Sequence, residues 1–412
     1  GLQEYTILVA KYVMSSKIKL AFFVEILVED FDGASRTIFN IVRRIPKEKF
    51  EVLFICGVPP KGPFDFPYIV IPIVGTPFNK DYTMAVPQFV FFQLSRQLRQ
   101  FNPDIVHIST PSLLGKFALK FAKNRNIPVT TIYHTHFISY IDYYLEKTPF
   151  LVTPVKKWIA KDQKGFYEKC DIAYIPTKNM VNDLSQMGIS SKNFKIWPRG
   201  LESGRFTPEK KNKAKIRKLT GNDNSNIIFA SRLVWEKNLK TLVKIYENAK
   251  RQKLPLNFII AGDGMASDSL MKMMPEALFL GHVHHEELSS IYASCDVFVF
   301  TSISETYGNV VAEAMASGLP CVIANGGGSA HFVENGKNGF LCSPEDSLEY
   351  LEKIKLILTN EELRTSFIQE GLEFVAGLQW QQLTDIYFSD LHALVDAKKE
   401  NYFIPLSMDY SF

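Results

Sequence analysis

The residues best suited to chemistry concentrate in SISETYGNVVAEAMASGLP (302–320). Glu305 lies in the loop after an apolar run. Gly308 and Asn309 open a helical pattern whose apolar side is Val310, Val311, Ala314, Met315 and Ala316. A glycine at that position lets main chain approach a ligand, and the free amides of 308–310 suit a phosphate. Glu305 and Glu313 fall at the loop tip and about one turn down the helix. Carboxylates so placed accept hydrogen bonds from sugar hydroxyls at two points of an extended ligand. In FASRLVWEKNLKTLV (229–243), Arg232 follows an apolar run and Lys237 opens the next helix, with Asn238 as its cap. A guanidinium and an ammonium at a strand–helix turn suit a diphosphate. The plain alternative is two exposed basic residues in a loop.

Three further groups carry weaker signals. IYHTHF (132–137) places His134 and His136 at the end of an apolar run, on one face by strand alternation. No third metal ligand stands nearby, so satisfied polar residues at a strand end are the competing reading. HVHH (282–285) precedes Glu286 and Glu287 at a helix start, where capping and solvation suit better than a metal. DFDG (30–33) holds an Asp-x-Asp pair, a spacing that can hold a divalent cation but is common by chance, and Gly33 leads into a helix, where a close approach to a ligand is the more useful reading.

These residues need strands that end beside helix starts, and the chain supplies them. Strand patterns occur at 19–25, 51–57, 68–74, 104–109, 129–134 and 171–176, with helical patterns near 34–45, 87–101, 112–124, 152–169 and 178–187. The polar segment 202–225, basic from Lys210 to Lys218, interrupts the alternation and reads as a solvated linker or helix face. Alternation resumes with strands at 226–231, 257–262, 277–281, 296–302 and 320–324, helices near 238–251, 285–293 and 308–317, and a helical stretch from about 344 to 397. Strands alternating with helices imply parallel sheets covered on both faces. The expected organisation is a tail or extension over 1–16, one Rossmann-like domain over 17–200, a second over 201–380 and a C-terminal helix over 381–412. In two doubly wound domains, ligands bind beyond the carboxyl ends of the strands, in a cleft between the domains.

Composition narrows the partners. Over 412 residues, 47 Lys and Arg against 43 Asp and Glu give a net charge of +4, too weak a bias to argue for nucleic acid. Five cysteines without a CxxC argue against a disulfide framework or zinc site and fit a reducing cytosol. No apolar run reaches the roughly 18 residues of a spanning helix, and GLQEYTILVAKYVM makes a poor signal peptide. Neither GxGxxG nor GxxxxGK[ST] occurs, which disfavours a dinucleotide oxidoreductase and a P-loop enzyme. In 149–170, Phe150, Leu151, Val155, Trp158, Ile159, Phe166 and Tyr167 interleave with five lysines, and Phe89, Phe91, Phe92 and Arg96 lie in an earlier helix. That mixture suits the headgroup boundary of an anionic membrane, or a helix that covers the sheet and shows its lysines to solvent.

Taken in order, DGASRT (32–37), YHTHF (133–137), WPRGLESGRFTP (197–208), SRLVWEKNL (231–239), AGDG (261–264), FLGHVHHEELSSIYASCDVFVFTS (279–302), ETYGNVVAEAMASGLP (305–320) and ENGKNGFL (334–341) resemble glycosyltransferase family 4, retaining enzymes of the GT-B fold. YHTHF and WPRGLE lean toward the glycolipid synthases among them. The resemblance implies an α/β protein of two doubly wound Rossmann-like domains facing each other across a cleft, with 17–200 on the acceptor side, 201–380 binding the nucleotide sugar and the C-terminal helix over 381–412 crossing back to the first domain. It implies that Arg232 and Lys237 clamp the donor diphosphate, Glu313 holds the ribose, and Glu305 contacts the transferred sugar. The amides of Gly308, Asn309 and Val310 would meet the sugar or phosphate. His136, and with it His134, would sit on the β-face of the sugar or near the leaving phosphate. Gly33 would let the first domain approach the diphosphate, and Val283 would hold the base through its backbone. A Gly-Gly pair is usual before the first helix; here it is Asp32-Gly33, which bears on the acceptor-side loop.

The expected activity is metal-independent, retaining transfer of a hexose from a UDP- or GDP-linked sugar, such as UDP-glucose or GDP-mannose, to a hydroxyl of a lipid or glycan. No cofactor or metal is called for, because Arg232, Lys237 and a helix N-terminus meet the leaving-group charge. The expected location is the cytoplasm, peripheral on the cytosolic membrane face. An epimerase-like enzyme of the same fold and an inactive glycan-binding protein are the alternatives.

Overall fold

The computed structural model describes residues 17–29, 31–75, 83–134, 149–202, 204–305 and 307–402. The chain divides into two compact units. One comprises the chain up to Ile175, Asp183–Trp197 and the segment from Thr384; the other comprises Pro176–Asn182 and Pro198–Leu383.

Among the described residues, the first unit is built on a seven-stranded parallel sheet. Its strands are β1 (Ile18–Ile26), β2 (Phe50–Val58), β3 (Tyr68–Val70), β6 (Ile105–Ile108), β7 (Val129–Ile132), β8 (Ile172–Ile175) and β9 (Phe194–Ile196), in the order β3-β2-β1-β6-β7-β8-β9. β4 (Ile73–Gly75) and β5 (Thr83–Ala85) form a separate antiparallel pair. The run 68–74, read from sequence as one strand, is therefore two. Pro72, which has no amide to donate to a ladder, separates them, and the second half pairs with β5 instead of β2. The central strands are buried on both faces, as near-continuous apolar runs such as IKLAFFVEI demand.

The long helix Trp380–Tyr402 completes this unit's core with its residues from Thr384 onward. Tyr387 is fully buried, with its ring centroid 5.5 Å from Tyr174 and 6.1 Å from Trp197. Its hydroxyl lies 2.9 Å from His107 Nδ1. One turn on, Asp390 accepts from Tyr174 Oη at 2.9 Å and pairs with Lys195 Nζ at 2.7 Å.

The second unit carries a six-stranded parallel sheet of β10 (Ser225–Ala230), β11 (Leu256–Ala261), β12 (Leu278–Gly281), β13 (Val297–Phe300), β14 (Cys321–Ala324) and β15 (Gly339–Cys342), in the order β12-β11-β10-β13-β14-β15. The polar segment before it contains the helix Lys213–Thr220, capped by Asn212 and tied down by Lys213–Asp296 and Lys215–Glu287 pairs at 3.0 Å each. The stretch read as one helical region from about 344 is three helices, Ser347–Thr359, Glu361–Ala376 and Trp380–Tyr402. Asn360 separates the first two and caps the second through Leu363 N. Both sheets have the topology of doubly wound, Rossmann-like domains, the building blocks of the GT-B fold.

The five cysteines are free and buried. Burial pushes the thiols of Cys56 and Cys170 up to about 12, so neither is a ready nucleophile.

Candidate functional site

Arg232 stands in the loop after β10, and that loop is held from behind by main chain. Ser231 N donates to Ala261 O at 3.1 Å and Leu233 N to Asp263 O at 2.8 Å. Gly262 and Gly264 make the approach possible. A Cβ on Gly262 would lie 1.8 Å from Ser231 O, and one on Gly264 would lie 2.4 Å from Leu233 O. The AGDG motif is thus the seat of the Arg232 loop. The Arg232 side chain is exposed and makes no hydrogen bond or ion pair with the described residues.

Lys237 closes a 3-10 turn, Trp235–Lys237, and its side chain is 4% exposed. The ammonium meets Glu305 Oε1 at 2.5 Å. Sequence reading assigned these two residues to different parts of a ligand; in the structure each is the other's partner. Asn238 does not cap the next helix through its side chain, as expected from sequence. It adopts a left-handed conformation, φ +54°, and donates Nδ2 hydrogen bonds to Thr301 O at 3.2 Å and Pro344 O at 2.7 Å. Thr241 Oγ1 donates to Asn238 Oδ1 at 3.0 Å, and Thr301 Oγ1 donates to Lys237 O at 3.2 Å. Asn238 therefore clips the turn carrying Lys237 to the end of β13, from which the Glu305 loop departs.

Gly308 precedes the helix Asn309–Ala316 with φ +86°, a conformation that favours glycine. A Cβ there would lie 2.2 Å from Ser329 Oγ and 3.0 Å from Ser329 Cα. The first-turn amides of Asn309 and Val310 have no intrahelical acceptor and carry the positive end of the helix dipole. Tyr307 anchors this entrance: its hydroxyl donates to Arg199 O at 2.9 Å, and the Arg199 guanidinium lies 5.8 Å from its ring centroid. Glu313 is buried on the inner side of the helix, near Tyr292. Burial, then the Glu313 charge, pushes the Tyr292 hydroxyl well above its ordinary range. Val283 follows β12 beyond Gly281, whose φ is +66°, and packs half-buried against the core.

Arg232, Lys237, Val283, Glu305, Gly308, Asn309, Val310 and Glu313 therefore all belong to the second unit, at or beyond the carboxyl ends of β10, β12 and β13. In the first unit, Gly33 opens the helix Gly33–Val42, capped by Asp32 Oδ1 accepting from Ser35 N at 2.8 Å. His134 is buried just past β7. His136 and Asp30 lie outside the described residues. His282 and His284 are exposed with rings 5.6 Å apart, and His284 makes no side-chain capping bond. No cluster of three metal-ligating side chains occurs among the described residues.

Sequence reading missed Glu25, the one acid in the apolar run AFFVEI, which was the available signal. Its Oε2 accepts from Ala85 N at 2.8 Å, and burial raises its pKa against the lowering effect of the Ser112 hydroxyl.

Residues 31–205 match the family model described as Glycosyltransferase Family 4, and residues 210–374 match Glycosyl transferases group 1. The chain is similar to sulfoquinovosyl transferase of Arabidopsis thaliana, with 33% identity over 70% of this chain. It spans only 56% of that relative's length. It is also similar to alpha-monoglucosyldiacylglycerol synthase of Acholeplasma laidlawii, with 26% identity covering 80% of this chain and 86% of the relative. Among solved structures, Anabaena HepE in complex with UDP and glucose superposes with a TM-score of 0.68 at 17% identity, covering 91% of this chain and 100% of that one, a likeness of fold. Both halves of the chain are accounted for, and it belongs to glycosyltransferase family 4.

Proposed function

We propose that the chain is a retaining hexosyltransferase that moves a hexose from a UDP- or GDP-linked sugar to a hydroxyl of a membrane lipid or a glycan. The observation that carries this reading is the set Lys237, Glu305, Gly308–Val310 and Glu313 at the carboxyl ends of neighbouring strands in the second unit. On transfer, the bond between the anomeric carbon and the phosphate oxygen breaks and its electron pair leaves with the nucleoside diphosphate, while the acceptor oxygen bonds to the anomeric carbon and its hydroxyl proton is released. Arg232, Lys237 and the Asn309 and Val310 amides meet that charge, a role in which fixed donors are worth most. Glu305 accepts from the sugar and Glu313 from the ribose, while the Val283 backbone holds the base. Gly33, His134 and His136 take the donor-side roles that the family resemblance implies. Cations and a helix N-terminus replace a metal in this scheme.

The lipid alternative for the acceptor rests on the surface of the first unit. Phe89, Phe92 and Trp158 are 71%, 86% and 66% exposed. Phe91 packs on Phe117 at 5.6 Å, and Lys116 pairs with Asp162 at 2.8 Å, so the helices Phe91–Phe101, Leu113–Lys123 and Pro149–Tyr167 adjoin. Lys157 and Lys161 on the helix Pro149–Tyr167 and Arg96 on the helix Phe91–Phe101 are exposed. Phe166 and Tyr167, expected to join this face, are instead buried in the core. Aromatic bodies with basic heads suit the boundary of an anionic bilayer. Among the described residues no helix is long and apolar enough to cross a membrane, so peripheral docking is the proposed mode.

Thermal-shift screening with UDP, GDP and ADP, followed by product analysis with the matching nucleotide sugar, tests the activity. Stabilisation by one nucleotide and an α-linked product are expected. A changed sugar nucleotide formed without acceptor would replace transfer by epimerisation. Flotation with anionic vesicles at low salt tests the acceptor class. No binding, with transfer to a soluble sugar, would remove the membrane.

A further inference from the structure

Lys237 and Glu305, given separate duties toward a donor, neutralise each other in the structure at 2.5 Å. The two side chains are not equally free. Lys237 is 4% exposed and its main chain is bolted by Thr301 Oγ1 and, through Asn238, by Thr301 O and Pro344 O. The Glu305 side chain is 24% exposed; its carbonyl is fixed by Gly328 N at 2.7 Å, but its carboxylate arm is held by the lysine. A buried ammonium is costly to leave unpaired. An anion that claims Lys237 must therefore displace the carboxylate, and the carboxylate is the member able to move.

We propose that Glu305 is an internal counter-ion: it holds Lys237 where a diphosphate would bind and exchanges the lysine for sugar hydroxyls when an intact donor binds. This rests on the reading of Lys237 as a diphosphate ligand. A nucleotide sugar offers Glu305 new donors as it takes the lysine. A bare nucleoside diphosphate takes the lysine and offers nothing in return. The exchange favours substrate over spent nucleotide, and after transfer the carboxylate returns to Lys237 and helps expel the product.

Titration calorimetry with UDP and with GDP, on wild type, Glu305→Gln, Glu305→Ala and Lys237→Ala, tests the exchange. Removing the competing carboxylate is expected to tighten binding of the preferred nucleoside diphosphate by about tenfold or more, while sugar transfer is lost; tenfold corresponds to about 1.4 kcal/mol. Lys237→Ala is expected to weaken the same binding. If Lys237→Ala weakens binding but a folded Glu305 variant binds no better than wild type, the counter-ion proposal is wrong and the diphosphate reading stands. If Lys237→Ala leaves affinity unchanged, or wild type binds neither nucleotide, the diphosphate reading fails and the proposal fails with it. Glu305→Ala guards against a Gln side chain that merely re-forms the contact, and ligand-free melting curves establish folding.

Discussion

Replacing Asn238 separates two contributions that the structure combines at one residue. Its side chain donates to Thr301 O and Pro344 O, and its backbone sits at φ +54°. Two donated bonds are worth about 1 kcal/mol each. Holding a residue with an ordinary Cβ in the left-handed region costs about 1 kcal/mol more. Asn238→Ala therefore loses about 3 kcal/mol and Asn238→Gly about 2 kcal/mol, since glycine keeps the backbone at ease. At about 2–4 °C per kcal/mol for a unit of this size, the alanine variant melts roughly 6–12 °C lower and the glycine variant roughly 4–8 °C lower. Both also release the turn that carries Lys237, so turnover falls about tenfold to a hundredfold, the scale of an ångström of misplacement. Differential scanning calorimetry and initial rates of transfer measure the two effects. Lys240→Ala, an exposed site on the same helix, is the control and changes stability by less than about 0.5 kcal/mol. Equal melting of the Ala and Gly variants would refute the backbone contribution, and wild-type turnover in both would refute the clip.

Arg232→Ala lowers kcat/KM by about tenfold to a hundredfold, since a charge-assisted hydrogen bond to phosphate is worth roughly 1.5–3 kcal/mol; near-normal kinetics would remove Arg232 from the phosphate site. EDTA leaves transfer largely intact; full loss restored by manganese or magnesium would bring Asp30 and Asp32 back as ligands. His107 is fully buried, and desolvation, with a smaller effect from His134, holds its pKa well below the ordinary 6.5. The unfolded chain takes up a proton near pH 6.5 that the native ring refuses, so stability falls as pH drops below that value, by up to about 1.4 kcal/mol per unit. His107→Gln flattens the acid side of a melting-temperature profile, and an unchanged slope would show that other groups set it.

What sequence made legible follows from what is local. The central parallel strands were readable because both of their faces are buried, which leaves apolar runs that need no partner to recognise. β5 and β9, three residues each, and the seven-residue helix Ser267–Met273 carry too few positions for a period to show. The fork at Pro72 depended on which strand would pair with 73–75. In the site, the strand-end positions of Arg232, Glu305 and Gly308 were readable from turn chemistry. The Lys237–Glu305 pair spans 68 residues, and no local pattern announces it. Asn238 misled for the same reason: an asparagine before a helix signals a cap, while its partners at 301 and 344 are invisible from its neighbourhood. Phe166 and Tyr167 looked like membrane anchors because their helix is aromatic on more than one side, and only packing shows which side faces the sheet.

Tyr387 in the core of the first unit and Asp390 beside it are made only after the second unit. Trp197, their neighbour, precedes Tyr387 by 190 residues. At roughly 5–20 residues per second, the ribosome takes roughly 10–40 s to cover that gap. During that interval Tyr174, Trp197 and His107 have no Tyr387 to close over them. The second unit, by contrast, is continuous from Pro198 to Leu383 apart from the short piece Pro176–Asn182. Synthesis order and folding order are thus opposed: the half that emerges first must wait, with an aromatic surface uncovered, for a helix translated after the other half is complete. Such a nascent chain is a natural client for chaperones that shield exposed rings, and cutting the gene after residue 376 would leave the first unit short of its own core.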